Sequence, residues 1–155
     1  MTSIGGGAFG VGAVEWLGNV GANDLGNLTG AQVVYDQPMF HVEGVIGFGH
    51  SSFNGGSGTT FDFGVAGWYH LARGTNADFS IGGGVGLLYG SASPGGSSTG
   101  FTIEPGAEAR VFLTPNFTLN ARVGFAITTG DNNAPTNFSL GGQETAALGF
   151  TYFFR

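Results

Sequence analysis

Between Phe61 and Leu71 the chain changes character at every step. Phe61, Phe63, Val65, Gly67, Tyr69 and Leu71 share one parity, and Asp62, Gly64, Ala66, Trp68 and His70 share the other. A period of two is the mark of a strand, whose successive side chains point to opposite faces. The same split recurs along the chain. Phe40, Val42, Gly44, Ile46 and Phe48 alternate with His41, Glu43, Val45, Gly47 and Gly49. Phe79, Ile81, Gly83, Val85, Leu87 and Tyr89 alternate with Asp78, Ser80, Gly82, Gly84 and Gly86. Phe101, Ile103, Pro105, Ala107, Ala109, Val111 and Leu113 alternate with Thr102, Glu104, Gly106, Glu108 and Arg110. Phe117, Leu119, Ala121, Val123, Phe125 and Ile127 alternate with Thr118, Asn120, Arg122, Gly124, Ala126 and Thr128. Ala146, Leu148, Phe150, Tyr152 and Phe154 close the series. Two weaker strands, about 6–17 and 28–35, bring the number to eight. Helices are disfavoured throughout, because 32 of 155 residues are glycine and each costs about 1 kcal/mol against alanine in a helix.

The connections alternate as well. Asp36-Gln37-Pro38, Arg73-Gly74-Thr75-Asn76 and Thr114-Pro115 are short. Residues 18–27, 51–58, 91–99 and 130–137 form longer stretches rich in Gly, Ser and Asn. An up-and-down meander with this rhythm puts its short turns at one end, together with both termini.

Volume decides which face is inside. The interior of an eight-stranded barrel is just wide enough for side chains. The Phe, Ile, Leu and Val face of these strands would overfill it, whereas glycines, small residues and a few ion pairs fit. The bulky face therefore points outward, which lipid tolerates and water does not. A closed barrel is one of two structures that satisfy every backbone group in a membrane. The charges agree: Arg110, Arg122, Glu43, Asp62, Asp78, Glu104 and Glu108 all fall on the non-bulky parity. Tyr35, Phe40, Tyr69, Phe79, Phe117 and Tyr152 lie beside the short turns or the C-terminus. Trp16, Phe48, Phe61, Tyr89 and Phe101 lie beside the long connections. The two sets read as aromatic girdles around an apolar band about 25 Å tall. The competing reading is a soluble sandwich with the bulky face buried. Three residues break the pattern. Glu15 and Glu144 share parity with apolar neighbours, which places them at the long-loop rim, and Pro105 removes a ladder donor, which predicts an irregularity at Glu104–Gly106.

Composition excludes several classes. Charged residues make up 9% of the chain, lysine is absent, and the net charge is −6, so a basic nucleic-acid footprint is missing. With no cysteine there is no disulfide scaffold or thiolate site. No run approaches the roughly 18 apolar residues of a membrane helix. Met1 to Gly7 carries no basic region followed by an apolar stretch, so no signal peptide is visible.

The ending Leu148-Gly149-Phe150-Thr151-Tyr152-Phe153-Phe154, with the meander and the asymmetry of its connections, resembles the small outer-membrane β-barrel family of the eight-stranded OmpA/OmpX type over essentially residues 1–155. The resemblance implies an all-β, eight-stranded, antiparallel up-and-down transmembrane barrel as a single domain. It would be a monomer in a bacterial outer membrane, with both termini periplasmic. It also implies outer-membrane lipids as partners, with periplasmic chaperones and the barrel-assembly machinery during biogenesis. Phe150, Tyr152 and Phe154 match the terminal aromatic signal that this machinery reads, and Arg155 departs from it by one residue. The family includes adhesins, membrane anchors, small pores and proteins of unknown task, so it implies architecture more than task.

The chemistry lies on the lumen face. If a three-residue turn joins Leu113 to Phe117, Glu108 faces Arg122 and Arg110 faces Asn120, and Glu104 and Glu43 extend the set. One reading of Glu108, Arg122, Arg110, Glu104 and Glu43 is an ionic plug in a protein with a structural or cell-surface interaction role. The other is a narrow pore for ions or small solutes with these charges as its filter. His70 should face Asp78 across the Arg73–Asn76 turn. A metal site would need His41, Glu43 and His50 to converge with a further ligand, and none is assigned; no cofactor is implied. A lipid-modifying enzyme would need a Ser–His–Asp set from Ser51 or Ser52, His50 and Asp62. Nothing marks such a serine as activated, so the expectation is a protein that is not an enzyme. The Gly5-x-Gly7-x-x-Gly10 spacing has no preceding strand or following helix and carries no dinucleotide reading. The long connections hold Asp24 and Asp131 but no Lys or Arg. Contact with lipopolysaccharide phosphates should therefore be weak or bridged by divalent metal. Arg73 and Arg155 at the opposite rim are placed to meet phospholipid headgroups.

Overall fold

The computed structural model describes residues 7–16, 29–53, 55–130, 136–140 and 147–154. They form strands β1 (Ala8–Trp16), β2 (Thr29–Asp36), β3 (Phe40–Phe53), β4 (Gly56–Arg73), β5 (Ala77–Ser93), β6 (Ser97–Thr114), β7 (Phe117–Gly130), β8 (Asn137–Leu140) and β9 (Ala147–Phe154). Each pairs antiparallel with its neighbours in the order β6-β5-β4-β3-β2-β1-β9-β7, and β6 pairs with β7 to close the ring. β8 and β9 both lie against β7, so the nine segments occupy eight positions of a closed barrel. Within the ring, closure leaves no strand at an open sheet edge, the main liability of a sheet.

The polarity is turned outward. Phe63, Val85, Val123 and Phe150 are 52%, 44%, 61% and 45% exposed, while Glu108 and Arg122 are 1% and 5% exposed. Phe40, Tyr69, Phe79 and Tyr152 stand outward near the short turns, and Phe48, Phe61, Tyr89 and Phe101 stand outward toward the other end. Tyr35 and Phe117 are half-buried. Cross-strand rings meet on this surface, as in Phe9 with Tyr35 and Phe48 with Phe61, at centroid distances of 4.6 and 5.1 Å. Glu15 is exposed at the end of β1, opposite Thr29 and Leu148. The Trp16 side chain, Asp24, Asp131, Glu144 and Arg155 lie outside the described residues.

The structure corrects three local expectations. Residues 51–58 and 91–99 are largely ladder. β3 and β4 stay paired to Phe53↔Gly56, and β5 and β6 to Ser91↔Ser97. Their Ser and Thr side chains suit strands as well as loops, and composition alone could not separate the two. The β3–β4 hairpin turns at Gly55, whose φ of 92° favours glycine. β4 and β6 thereby reach 18 residues each, longer than the 9–11 that a membrane strand needs, so these hairpins project past the apolar band. The expected irregularity at Glu104–Gly106 is present as a lapse of the β6–β7 ladder at Glu104 and Pro105, with the same register at Ile103↔Ile127 and Gly106↔Gly124 on either side. Asp36 is the last residue of β2 and not part of the turn. His70 faces Ser80, because β4 runs on through Arg73, which takes the place opposite Asp78.

Glycine is required where backbones converge. A Cβ on Gly82 would strike the Gly67 carbonyl, and one on Gly83 would strike the Glu104 carbonyl.

Candidate functional site

The lumen is the candidate site. Inward positions of β2 to β7 and β9 carry its polar side chains, each brought there by strand parity. At the centre is Arg122 of β7. Its Nε donates to Glu108 Oε2 at 2.7 Å, and one terminal nitrogen donates to Gln32 Oε1 at 3.2 Å and to Glu43 Oε2. Glu108 and Arg122 are direct ladder partners, as are Arg110 and Asn120. The other oxygen of Glu43 accepts from Trp68 Nε1 at 2.7 Å. Gln32 passes the chain of bonds on to Thr151 Oγ1 at 2.6 Å. Arg122 therefore ties β7 to β6, β3 and β2, and through Gln32 to β9.

A second knot adjoins the first. Arg110 grips Asp78 with two bonds of 2.9 and 2.8 Å and donates to Asp36 Oδ1 at 3.1 Å. Arg73 donates to Asp36 Oδ2 at 2.8 Å and to the carbonyls of Gln37 and Pro38 at 3.0 Å each. His70 bridges Asp36 Oδ1 at 3.1 Å and Ser80 Oγ at 2.9 Å. Its Nδ1 comes within 3.9 Å of Asp78, a looser contact than to Asp36. His41 Nε2 lies 3.2 Å from Glu108 Oε1, and Arg110 Nε 3.5 Å from the same oxygen, which joins the two knots. Buried charges survive only when paired in this way. Ala8, Val34, Phe112 and Phe153 form a buried apolar cluster beside them, and the guanidiniums of Arg110 and Arg122 lie 5.8 Å from the ring centres of Phe112 and Trp68.

The structure thus unites Glu108, Arg122, Arg110 and Glu43. Glu104 sits two inward positions from Glu108 along β6, where Thr102 Oγ1 donates to it at 3.0 Å. Sequence reasoning missed Asp36, Gln32 and Trp68 as members. Parity was the available signal, since Asp36, Val34 and Gln32 share the inward face of β2. Phe150, Tyr152 and Phe154 stand outward on β9, opposite Ala13, Val11 and Phe9.

Two triads come within metal-ligand spacing: Asp36, His41 and His70, and His41, Glu43 and Glu108, with ligand atoms within 4.8 Å of one another. His50 joins neither. The carboxylates of both triads are already held by Arg73, Arg110 or Arg122, so guanidinium occupies the place a metal would take. The Ser–His–Asp set is not assembled. His50 Nδ1 lies 3.1 Å from Thr59 Oγ1 and its Nε2 is 3.5 Å from Ser52 Oγ, both exposed, while Asp62 points into the lumen without bonding His50.

Known structures share this architecture. The N-terminal β-barrel domain of Pseudomonas aeruginosa OprF matches with a TM-score of 0.58 and 14% identity, covering 96% of this chain and 98% of that one. It has the fold of the small outer-membrane barrels. A major outer membrane protein of Thermus thermophilus matches with a TM-score of 0.59, 16% identity, and coverage of 96% and 99%. Ail, the attachment invasion locus protein of Yersinia pestis, solved in complex with the heparin analogue sucrose octasulfate, matches with a TM-score of 0.56, 17% identity, and coverage of 96% and 99%. No protein-family model matches the chain, and no curated protein sequence matches it.

Proposed function

We propose that this protein is a monomeric, non-conducting, non-enzymatic barrel of a bacterial outer membrane, with a structural or surface-display role. One observation carries the reading: a continuous set of bonds, charge-assisted at Arg122 and Arg110, links β2, β3, β5, β6 and β7 across the lumen and reaches β9 through the Gln32 amide. An ion passing through would have to break bonds that also hold the wall together. The ends of β1 and β9 lie by the short turns, where the Phe153 amide donates to the Asn116 carbonyl at 2.7 Å, and in this reading that end faces the periplasm. Phe150, Tyr152 and Phe154, exposed along β9, form the signal for the assembly machinery. The projecting β3–β4 and β5–β6 hairpins face the exterior. Their described residues contain no Lys or Arg, so a polyanion such as the sulfated ligand of Ail would find no cationic clamp there.

Planar-bilayer recording tests the seal. Wild-type protein at saturating insertion should give no steps, and Arg122→Ala with Arg110→Ala should give them. Regular steps from the wild type would favour the pore.

A further inference from the structure

One acid stands on the lipid side of the wall. Glu15 of β1 is exposed and shares the outward parity of Phe9 and Val11. Its ladder partners are Thr29 of β2 and Leu148 of β9. Phe9, near the other end of β1, packs on Tyr35 beside the short turns, with ring centres 4.6 Å apart. The steps from Phe9 to Glu15 rise about 20 Å along the strand, or about 15 Å along the barrel axis at a tilt of about 40°. The apolar band is about 25 Å tall, so this carboxylate stands in the upper half of the lipid-facing surface. Ionisable groups at membrane depth mark binding and transport sites.

A depression lies beside it. Ala13, Val14 and Glu15 of β1 and Leu148, Gly149 and Phe150 of β9 line a space of about 290 Å³. These residues are direct ladder neighbours: Ala13 faces Phe150, Val14 faces Gly149 and Glu15 faces Leu148. The inner side of this stretch is filled. Val14 is buried, and a Cβ on Gly149 would lie 2.9 Å from both Asn120 Oδ1 and Val14 Cγ1. The space therefore opens outward. Its room comes from Ala13, a small side chain set between Ala31 of β2 and Phe150 of β9. The exposed Leu148 and Phe150 form the apolar wall, and Glu15 is the one charged residue of the lining.

We propose that this depression binds a cationic amphiphile from the surrounding lipid, with its alkyl chain against Ala13, Leu148 and Phe150 and a primary ammonium head on Glu15. Opposite charge selects the head, and an ammonium on a carboxylate makes a charge-assisted hydrogen bond. The volume is at the low end for small-molecule sites, about 300 Å³, and suits one chain better than a helix about 10 Å across. A second copy of the barrel is a poor occupant. The guanidiniums of Arg73, Arg110 and Arg122 are engaged in the lumen, and the described residues hold no other Lys or Arg to meet Glu15. The site is independent of whether the barrel conducts.

Electron spin resonance tests this on the folded barrel in phosphatidylcholine vesicles at neutral pH. The probes are spin-labelled stearylamine and spin-labelled stearyl alcohol, which share a chain and differ in charge. The wild type should immobilise the amine about fivefold more strongly than the alcohol, the upper value for an exposed ion pair, and the excess should saturate. Glu15→Gln should bring the amine down to the level of the alcohol. Ala13→Phe, which fills the depression and leaves the acid, should do the same. If Ala13→Phe does not insert, the Glu15→Gln comparison decides alone. Equal immobilisation of amine and alcohol by the wild type would overturn the proposal. So would a preference that Glu15→Gln retains, because the net charge of −6 would then account for it, or one that Ala13→Phe retains, because the acid would then act without a pocket.

Discussion

Replacing Arg122 by methionine tests the lumen network at its centre. Methionine keeps much of the volume and removes the charge. The change deletes the bond to Glu108 at 2.7 Å, the bond to Gln32 at 3.2 Å and the bond to Glu43. The two stranded carboxylates do not suffer equally. Glu108 keeps His41 at 3.2 Å and Arg110 at 3.5 Å, while Glu43 keeps the Trp68 indole at 2.7 Å. Removing one partner of a buried pair typically costs about 3–5 kcal/mol, because the other charge stays behind. Arg122→Met should therefore lose about 3–5 kcal/mol of unfolding free energy, read by guanidinium titration in lipid vesicles from Trp68 fluorescence and from the gel mobility of folded and unfolded forms. Glu43→Gln in the same background should restore more of the loss than Glu108→Gln. A loss below about 1 kcal/mol, the level of an exposed pair, would refute the claim that these charges are buried and coupled. Equal rescue by the two glutamines would refute the assignment of Glu43 as the more dependent partner.

Other perturbations separate the faces of the wall. Phe63→Arg should cost about 2–4 kcal/mol at the membrane midplane and block insertion into vesicles, while Gly64→Ala should insert normally. Gly82→Ala should sharply reduce the folded fraction on a gel of unboiled samples, because its Cβ meets the Gly67 carbonyl, whereas Gly44→Ala, whose Cβ comes no closer than 4.0 Å to the Gly64 carbonyl, should fold like the wild type. Arg73→Ala should cost about 1.5 kcal/mol, the low end for a bond to a charged group, since Asp36 keeps Arg110 and His70. Arg110→Met should cost more in the same titration, because it strips Asp78 and Asp36 together.

The barrel was legible because period-two alternation and the volume of an eight-stranded lumen left one arrangement for Phe63, Val85 and Val123. Glu108 and Arg122 were legible as partners because the short turn between their strands imposes the register. Contacts across the lumen were not legible: Arg122 with Glu43, or Arg110 with Asp36, join strands whose relative height depends on barrel shear. Asp36 was hidden by its place beside Gln37-Pro38, which reads as turn. The pairing at Ser91↔Ser97 was hidden because a Gly/Ser stretch has no strong alternation to distinguish ladder from loop. His70 was misaligned because Arg73 beside Gly74 reads as turn, whereas it ends β4 and faces Asp78.

The chain has no cysteine, so single nitroxide labels can be placed along β4 without background. Oxygen and a water-soluble nickel chelate then report lipid and water contact at positions 61 to 71 of the protein in vesicles. The account predicts high oxygen accessibility with little nickel contact at 63, 65 and 69, with a period of two. Labels at those positions that are shielded from oxygen and packed immobile, as in a dry protein centre, would contradict it.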